Sequence, residues 1–341
     1  MRIIIDGFGG DNAPLEVLKG SIKAVSELGV EITVVGNESD ILNCAKENNL
    51  DISKLKIHHA ERVMEVCEEP TKILKEFSDS SMAVGLKLLK DGEGDAFVSA
   101  GSTGALVVGA TFIVKRLKGV KRAALATLMP TIKGPCMILD VGANADCRPE
   151  MLNQFGIMGY AYMKNLMGVN NPRVCLANIG AEPTKGRELE LETYKLLQEA
   201  PVNFVGNIEG RQIPLGDADV VVADGFTGNL ILKSIEGMGK FFSTSLKGIF
   251  AEGIASKIGA LFILKKLNAL KAKMDYTEYG GAPLLGTAKP VIKAHGSSNA
   301  KAFYNAIRQA KNFVDAKVIE NISLSLDEIK TRKESTDADQ A

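Results

Sequence analysis

His295 stands in Ala294-His-Gly-Ser-Ser-Asn299, where a short strand pattern gives way to a helical one, and it is one of three histidines in the chain. A histidine beside Gly296 and Ser297 at such a junction can give or take a proton next to backbone N–H groups, whereas His58 and His59 lie in an ordinary strand-like run. Asp224, in Asp224-Gly-Phe-Thr-Gly-Asn229, can either cap the helix that follows or orient and deprotonate a nucleophile. Lys185, in Asn178-Ile-Gly-Ala-Glu-Pro-Thr-Lys-Gly186, offers a mobile positive charge for a phosphate oxygen, and Asp140, Asn144 and Asn178 are further polar candidates. Glycine, serine, threonine and asparagine recur around these residues where helices open. Their backbone donors and positive dipole ends favour an anion, and phosphate is the obvious one.

Other chemistries fit less well. The phosphate-loop pattern G-x-x-x-x-G-K-[ST] is absent, and Gly7-Phe-Gly-Gly-Asp-Asn12 lacks the third glycine of a dinucleotide fingerprint. Gly101-Ser-Thr-Gly104 places its serine one position away from a G-x-S-x-G elbow, so a covalent acyl-serine is not expected. Asp91 and Asp95 give one D-x-x-x-D spacing, but in a loop entering a strand, the wrong end of a sheet for a metal. Cysteines at 44, 67, 136, 147 and 175 form no C-x-x-C pair, which argues against a zinc knuckle or disulfide framework and for a reducing cytoplasm.

The elements that must position these residues follow one order: strand, polar turn, helix. It appears at Ile3 to Pro14, Asp95 to Leu106, Met137 to Glu150, Val174 to Gly186, Asp219 to Asn229 and Pro290 to Ala300. In a parallel sheet, turns that follow strands share one end, so these six are expected to converge. Pro14 suits a first helical residue, and a helical pattern resumes from Leu230 after the Asp224–Asn229 turn. From Lys240 to Met274 seven lysines face a single acid, Glu252, among regularly spaced Phe, Ile and Leu, which reads as a basic amphipathic helical pair. Three uses suit it: dimer packing, contact with an anionic membrane surface, and docking of an acidic protein, with Lys257, Leu261, Phe262, Lys265 and Lys266 as contacts. The expected organisation is a single α/β domain over 1–330 with this insertion at about 240–275. Residues 331–341 have nothing to bury and read as a disordered tail.

At 341 residues with 45% hydrophobic content the chain can bury a large core, as one α/β unit or as two subdomains sharing a cleft. Lys+Arg and Asp+Glu are both 41, so no whole-molecule field points to nucleic acid. Met1-Arg2-Ile3-Ile4-Ile5-Asp6 meets an acid too soon for a signal peptide, whose apolar region needs roughly 7 to 15 residues, and no apolar stretch reaches the ~20 that span a bilayer.

Gly9-Gly-Asp-Asn-Ala-Pro14, Asp79-Ser-Ser-Met82, Ser99-Ala-Gly-Ser-Thr-Gly-Ala105, Leu139-Asp-Val-Gly-Ala-Asn144, Asn178-Ile-Gly180, Asp224-Gly-Phe-Thr-Gly-Asn229, Tyr279-Gly-Gly-Ala-Pro-Leu-Leu-Gly286 and His295-Gly-Ser-Ser298 run in order and resemble the motifs of the PlsX family, the acyl-carrier-protein-dependent phosphate acyltransferases of bacterial phospholipid synthesis. The resemblance implies a three-layer α/β/α fold of the isocitrate and isopropylmalate dehydrogenase kind, a homodimer, and no metal or cofactor. It implies attack of inorganic phosphate on the thioester of acyl-acyl carrier protein, giving acyl phosphate, in the cytoplasm or peripherally at the inner face of the membrane, near the downstream glycerol-3-phosphate acyltransferase. Carried onto this sequence, the site comprises His295, Asp224 and Lys185 as catalytic groups. Phosphate or substrate would be bound by Asp11, Asn12, Ser99, Gly101, Ser102, Thr103, Gly104, Asp140, Gly142, Asn144, Asn178, Gly180, Gly225, Thr227, Gly228, Asn229, Gly296 and Ser297. The family pattern has asparagine where Ser102 stands, methionine near Phe8, valine at Ala145 and threonine at Ala181. Coenzyme A-dependent phosphate acetyl- and butyryltransferases are the nearest enzyme rivals. A membrane scaffold that recruits carrier protein is the non-catalytic rival, and it leaves the six turns unexplained.

Overall fold

The computed structural model describes residues 1–251, 253, 263 and 280–327. Strand β1 (Arg2–Asp6) shows how the sheet is built: Ile3 and Ile5 point to one face and Ile4 to the other, and none is more than 1% exposed. A strand apolar on both faces must be covered by helices on both sides, and each such buried side chain contributes about 2 kcal/mol. The first half of the chain supplies α1 (Leu15–Leu28), β2 (Glu31–Gly36), α2 (Glu38–Glu47), β3 (Leu55–His59), α3 (Ser81–Lys90), β4 (Ala96–Ser99) and α4 (Thr103–Gly109). The hairpin β5 (Ala124–Thr131) and β6 (Gly134–Leu139) follows, then α5 (Pro149–Asn165), β7 (Arg173–Ala177), α6 (Glu188–Glu199), β8 (Asn203–Ile208), β9 (Val220–Val222) and α7 (Gly225–Ala251). The chain returns through β10 (Ala282–Leu285), β11 (Val291–Lys293) and α8 (Ala300–Asp315).

The eleven strands among the described residues join one sheet in the order β3-β2-β1-β4-β11-β10-β5-β6-β9-β7-β8. On one face Ile3, Ile5, Val98 and Val222 pack with Leu18, Leu152, Leu197 and Phe303 from α1, α5, α6 and α8. On the other face Ile4, Phe97, Ile138 and Val221 pack with Leu86 and Leu106 from α3 and α4, and with Ile231 and Ile235 of α7. The expected three-layer α/β/α architecture with a mostly parallel sheet is therefore present.

Strand direction differs from the sequence expectation in one consequential way. β3, β2, β1, β4 and β11 are parallel, as are β6, β9, β7 and β8, but the pairs β11–β10, β10–β5 and β5–β6 are antiparallel. Three reversals set the two parallel halves in opposite directions, so the six helix-opening turns leave the sheet as two sets of three. Four strand steps separate β4 from β6, and at roughly 20–25° each they rotate one half by roughly 80–100° against the other. One helix, α7, runs from the second set towards the first.

Two further expectations change in detail. The helix expected from Leu230 already begins at Gly225, and it continues to Ala251. The proposed contacts Lys257, Leu261, Phe262, Lys265 and Lys266, and the tail 331–341, lie outside the described residues. Among the described residues no helix is long and apolar enough to cross a membrane.

Candidate active site

The first set of turns follows β1, β4 and β11. β1 ends in Asp6, fully buried, whose Oδ1 accepts from Ser81 Oγ and whose Oδ2 accepts from Ser99 Oγ, each at 2.7 Å. Burial pushes this carboxyl up from its ordinary range, against those hydroxyls and the N–H groups of Phe8 and Gly9. Gly9 is required by packing: a Cβ there would sit 2.6 Å from both Asp6 Oδ2 and Gly101 N. The neighbouring turns are laced together, since Asp11 N donates to Gly296 O at 2.8 Å and Asn12 Nδ2 donates to the carbonyls of Ser297 and Ser298 at 3.3 Å. Ser99 Oγ also accepts from Gly101 N, and Ser102 Oγ accepts from Ala105 N, capping α4 just before Thr103 and Gly104.

β11 contributes Lys293, which the sequence reading passed over. Its Nζ is buried and donates to Ala100 O at 3.3 Å and to Ala294 O. Burial pulls it from 10.5 down to about 8, while the Asp6 and Asp11 carboxylates pull the other way. Two residues on, His295 lies beside Ser297: Ser297 N donates to its Nδ1 at 3.2 Å, and Ser297 Oγ is 2.8 Å from the same nitrogen. A nitrogen that accepts an N–H is unprotonated, so the neutral ring carries its proton on Nε2. Burial, then the Lys233 and Lys293 cations, lowers the imidazolium further, against Glu236 and Asp11. The result is a neutral histidine with a fixed N–H, next to a buried cation of tunable charge.

The second set follows β6, β7 and β9, and here the polar groups bind one another. Asp140 is fully buried and accepts five donors: the N–H groups of Leu125, Gly142, Ala143 and Asn144 and the Asn144 side-chain amide, at 2.7–3.2 Å. Burial pushes its carboxyl up against those bonds. Asn144 also donates to Ala123 O, its own carbonyl accepts Gly225 N at 2.8 Å, and Asn229 Nδ2 donates to Val141 O across Gly142. Asp224 caps α7: Oδ1 accepts Thr227 N at 2.7 Å, and Oδ2 accepts Thr227 Oγ1 and Arg187 Nη2 at 2.9 Å. Arg187 is a second residue the sequence reading missed, and it ties Asp224 to Glu190. Gly228 lets α7 approach the Asp140 turn, where an added Cβ would lie 2.0 Å from Asp140 O. Asn178 closes its own turn on Lys185 O and Ile179 N, near Gly180, and leaves the Lys185 side chain exposed. Cys147, bonded to Asn144 O, is pushed up to about 12 by burial and keeps its proton, so it is no thiolate nucleophile.

α7 spans the two sets. It opens at Gly225 in the second, and the charges of its Lys233 and Glu236 are felt at His295 in the first. At 1.5 Å per residue these side chains lie about 12 and 17 Å along the helix from its start. The arrangement therefore has a titratable end and a rigid polar end joined by one helix, with backbone donors at both.

The fold is that of the phosphotransacylases: a phosphotransacetylase from Streptococcus pyogenes superposes with a TM-score of 0.61, covering 94% of both chains at 17% identity. The family described as "Fatty acid synthesis protein" matches residues 1–321. The chain belongs to this family, and it is an acyltransferase. Among its relatives, proteins named phosphate acyltransferase from Thermoanaerobacterium thermosaccharolyticum and Acetivibrio thermocellus are each 47% identical to it. The first covers 96% of this chain and 97% of the relative, the second 94% and 95%.

Proposed function

We propose that this chain transfers a fatty acyl group from acyl-acyl carrier protein to inorganic phosphate, releasing acyl phosphate and the free carrier thiol. The observation that carries the reading is likeness at 47% identity over nearly the whole length of relatives named phosphate acyltransferase. The geometry supports a direct displacement. A phosphate oxygen attacks the thioester carbonyl, a tetrahedral oxyanion forms, the C–S bond breaks and the sulfur leaves as thiolate, taking up a proton. Phosphate is already a nucleophile, so the protein has to position it, screen its charge and stabilise the oxyanion.

His295 Nε2–H is suited to donate to the developing oxyanion or leaving sulfur, and Lys293 to offset the phosphate charge. Backbone N–H groups of the turns holding Asp11, Asn12, Ser99 to Gly104, Gly296 and Ser297 would hold the phosphate. Lys185 and the turns at Gly142, Asn178 and Gly225 would meet the acyl donor. The exposed apolar side chains along α7, including Phe226, Leu230, Phe241 and Ile249, support pairing with a second copy. Membrane contact and proximity to the glycerol-3-phosphate acyltransferase would be served by the lysine-rich segment at about 240–275, which opens within α7. The deciding experiment follows free carrier thiol with and without phosphate, and acyl phosphate by mass. Thiol release independent of phosphate, or activity with acyl-coenzyme A alone, would overturn the reading.

A further inference from the structure

The chain is neutral overall, yet five of the eight residues from Lys115 to Arg122 are basic: Lys115, Arg116, Lys118, Lys121 and Arg122. All five are exposed. Arg116, Lys121 and Arg122 join Arg148 around a surface cavity of about 550 Å³ whose one acidic lining residue is Asp146. The only ion pair recorded for these cations among the described residues joins Lys121 to Glu150 at 3.7 Å, with both side chains about half exposed.

The loop that carries these charges is held in place. Leu117 N donates to Gly286 O and Ala288 N to Lys115 O, which fastens the loop to the β10 end. Gln154 of α5 accepts Lys121 N at 2.8 Å and donates to Gly119 O at 2.9 Å, and Arg116 donates to Lys121 O. A fixed set of cations with little internal neutralisation steers an acidic partner and sets its register.

The cavity also borders the second set of turns, where the reading above places the acyl donor. Asp146, Cys147 and Arg148 on its wall directly continue the Asp140–Asn144 turn, and Cys147 Sγ donates to Asn144 O. A partner seated here has its edge at the second set of turns. The surface is concave and offers few apolar side chains, Phe112 and Met151 among them, whereas exposed apolar residues gather along α7. Charge in a concave surface with few insertable apolar side chains suits an acidic protein better than a bilayer.

We propose that the cavity bounded by Arg116, Lys121, Arg122 and Arg148 is where the acidic acyl carrier protein docks, delivering its thioester past Arg148 to the Asn144 turn. The proposal rests on the acyl-carrier reading above and replaces the lysine-rich segment at 240–275 as the docking site. The test is direct titration of the carrier protein onto the full-length chain at low salt, with the double variants Lys121→Glu/Arg122→Glu and Lys121→Gln/Arg122→Gln. Charge reversal is expected to weaken binding, and to raise the KM for acyl-carrier protein, by roughly 10-fold or more, with the KM for phosphate and the unfolding midpoint unchanged. The neutral pair is expected to lose roughly 3-fold, and it decides the matter if the reversal fails to fold.

Carrier affinity equal in wild type and variants, or no carrier binding by wild type, overturns the proposal. So does a reversal that abolishes binding to phosphatidylglycerol vesicles while leaving carrier affinity intact, which would make the patch a membrane surface. Carrier binding that is charge-dependent but gives no phosphate-dependent turnover upholds the docking site and sinks the catalytic reading instead.

Discussion

The two sets of helix-opening turns are built from the same residue types and do opposite things with them. Around β1, β4 and β11 the ionisable groups are held away from their ordinary states by burial: Asp6 is pushed up, Lys293 is pulled to about 8 and His295 is lowered. Around β6, β7 and β9 the carboxylates are saturated by donors from their own turns, Asp140 by five and Asp224 by Thr227 and Arg187. A carboxylate whose lone pairs are filled by its own turn shapes backbone even where burial raises it, as at Asp140, while a lysine or histidine whose proton affinity is lowered, as at Lys293 and His295, can do chemistry. The comparison teaches that a polar residue at the end of a strand is a candidate only until its partners are counted.

The sharpest way to break the comparison is at Asp140. Asp140→Ala leaves four backbone N–H groups and the Asn144 amide without their buried acceptor in a partly buried turn. The expected loss is ~3–5 kcal/mol of stability, the range for breaking a buried charged network, read from urea denaturation. A loss below ~1 kcal/mol would return Asp140 to the ligand-binding side of the comparison.

Lys293 should behave the other way round. Holding an ammonium at about 8 instead of 10.5 corresponds to about 3 kcal/mol against its protonation, so the charge weakens the fold at neutral pH. Lys293→Met is therefore expected to keep or raise the unfolding midpoint while lowering kcat/KM about 100-fold, near the low end for removing a preorganised electrostatic donor. Two pH profiles check it. Wild-type activity should fall as pH rises through about 8, and the variant should lack that limb. For stability, the unfolded chain holds the lysine proton between about 8 and 10.5 while the folded chain has released it. Wild-type stability should thus rise with pH across that window relative to the variant.

His295→Ala tests the same half more gently. Loss of a positioned acid or base predicts at least a ~10-fold fall in turnover with the protein still folded. Wild-type activity in that variant would remove His295 from the mechanism.

How much of this was legible follows from the range of the signals. Strands and helices were written in local periodicity, and His295 was marked by its glycine and serine neighbours at a strand end. The opposition of the two halves was not, because it depends on β10 entering antiparallel between β11 and β5, and its pairing with β5 joins residues more than 150 positions apart. The Arg187–Asp224 pair likewise joins residues 37 positions apart. Lys293 read as an ordinary strand residue, and the one available signal was a lysine closing an apolar strand two places before a histidine. The start of α7 is masked in the sequence for a different reason. Gly225 and Gly228 look like turn residues, but they serve close packing against Asn144 O and Asp140 O, and tertiary contact overrides their poor helix propensity.

The smallest expected effect sharpens the border of the titratable half. Ser102 is buried and caps α4 through Ala105 N, where the motif resemblance implies asparagine. Asparagine caps helices about as well as serine, so Ser102→Asn should leave α4 and the unfolding midpoint in place. Its amide adds one donor at the mouth of the first set of turns. If that donor reaches phosphate, the KM for phosphate falls by roughly 3-fold, within the range that one net hydrogen bond contributes. If the KM stays unchanged, the contact with phosphate at this turn is made by backbone N–H groups, and the serine serves the helix alone.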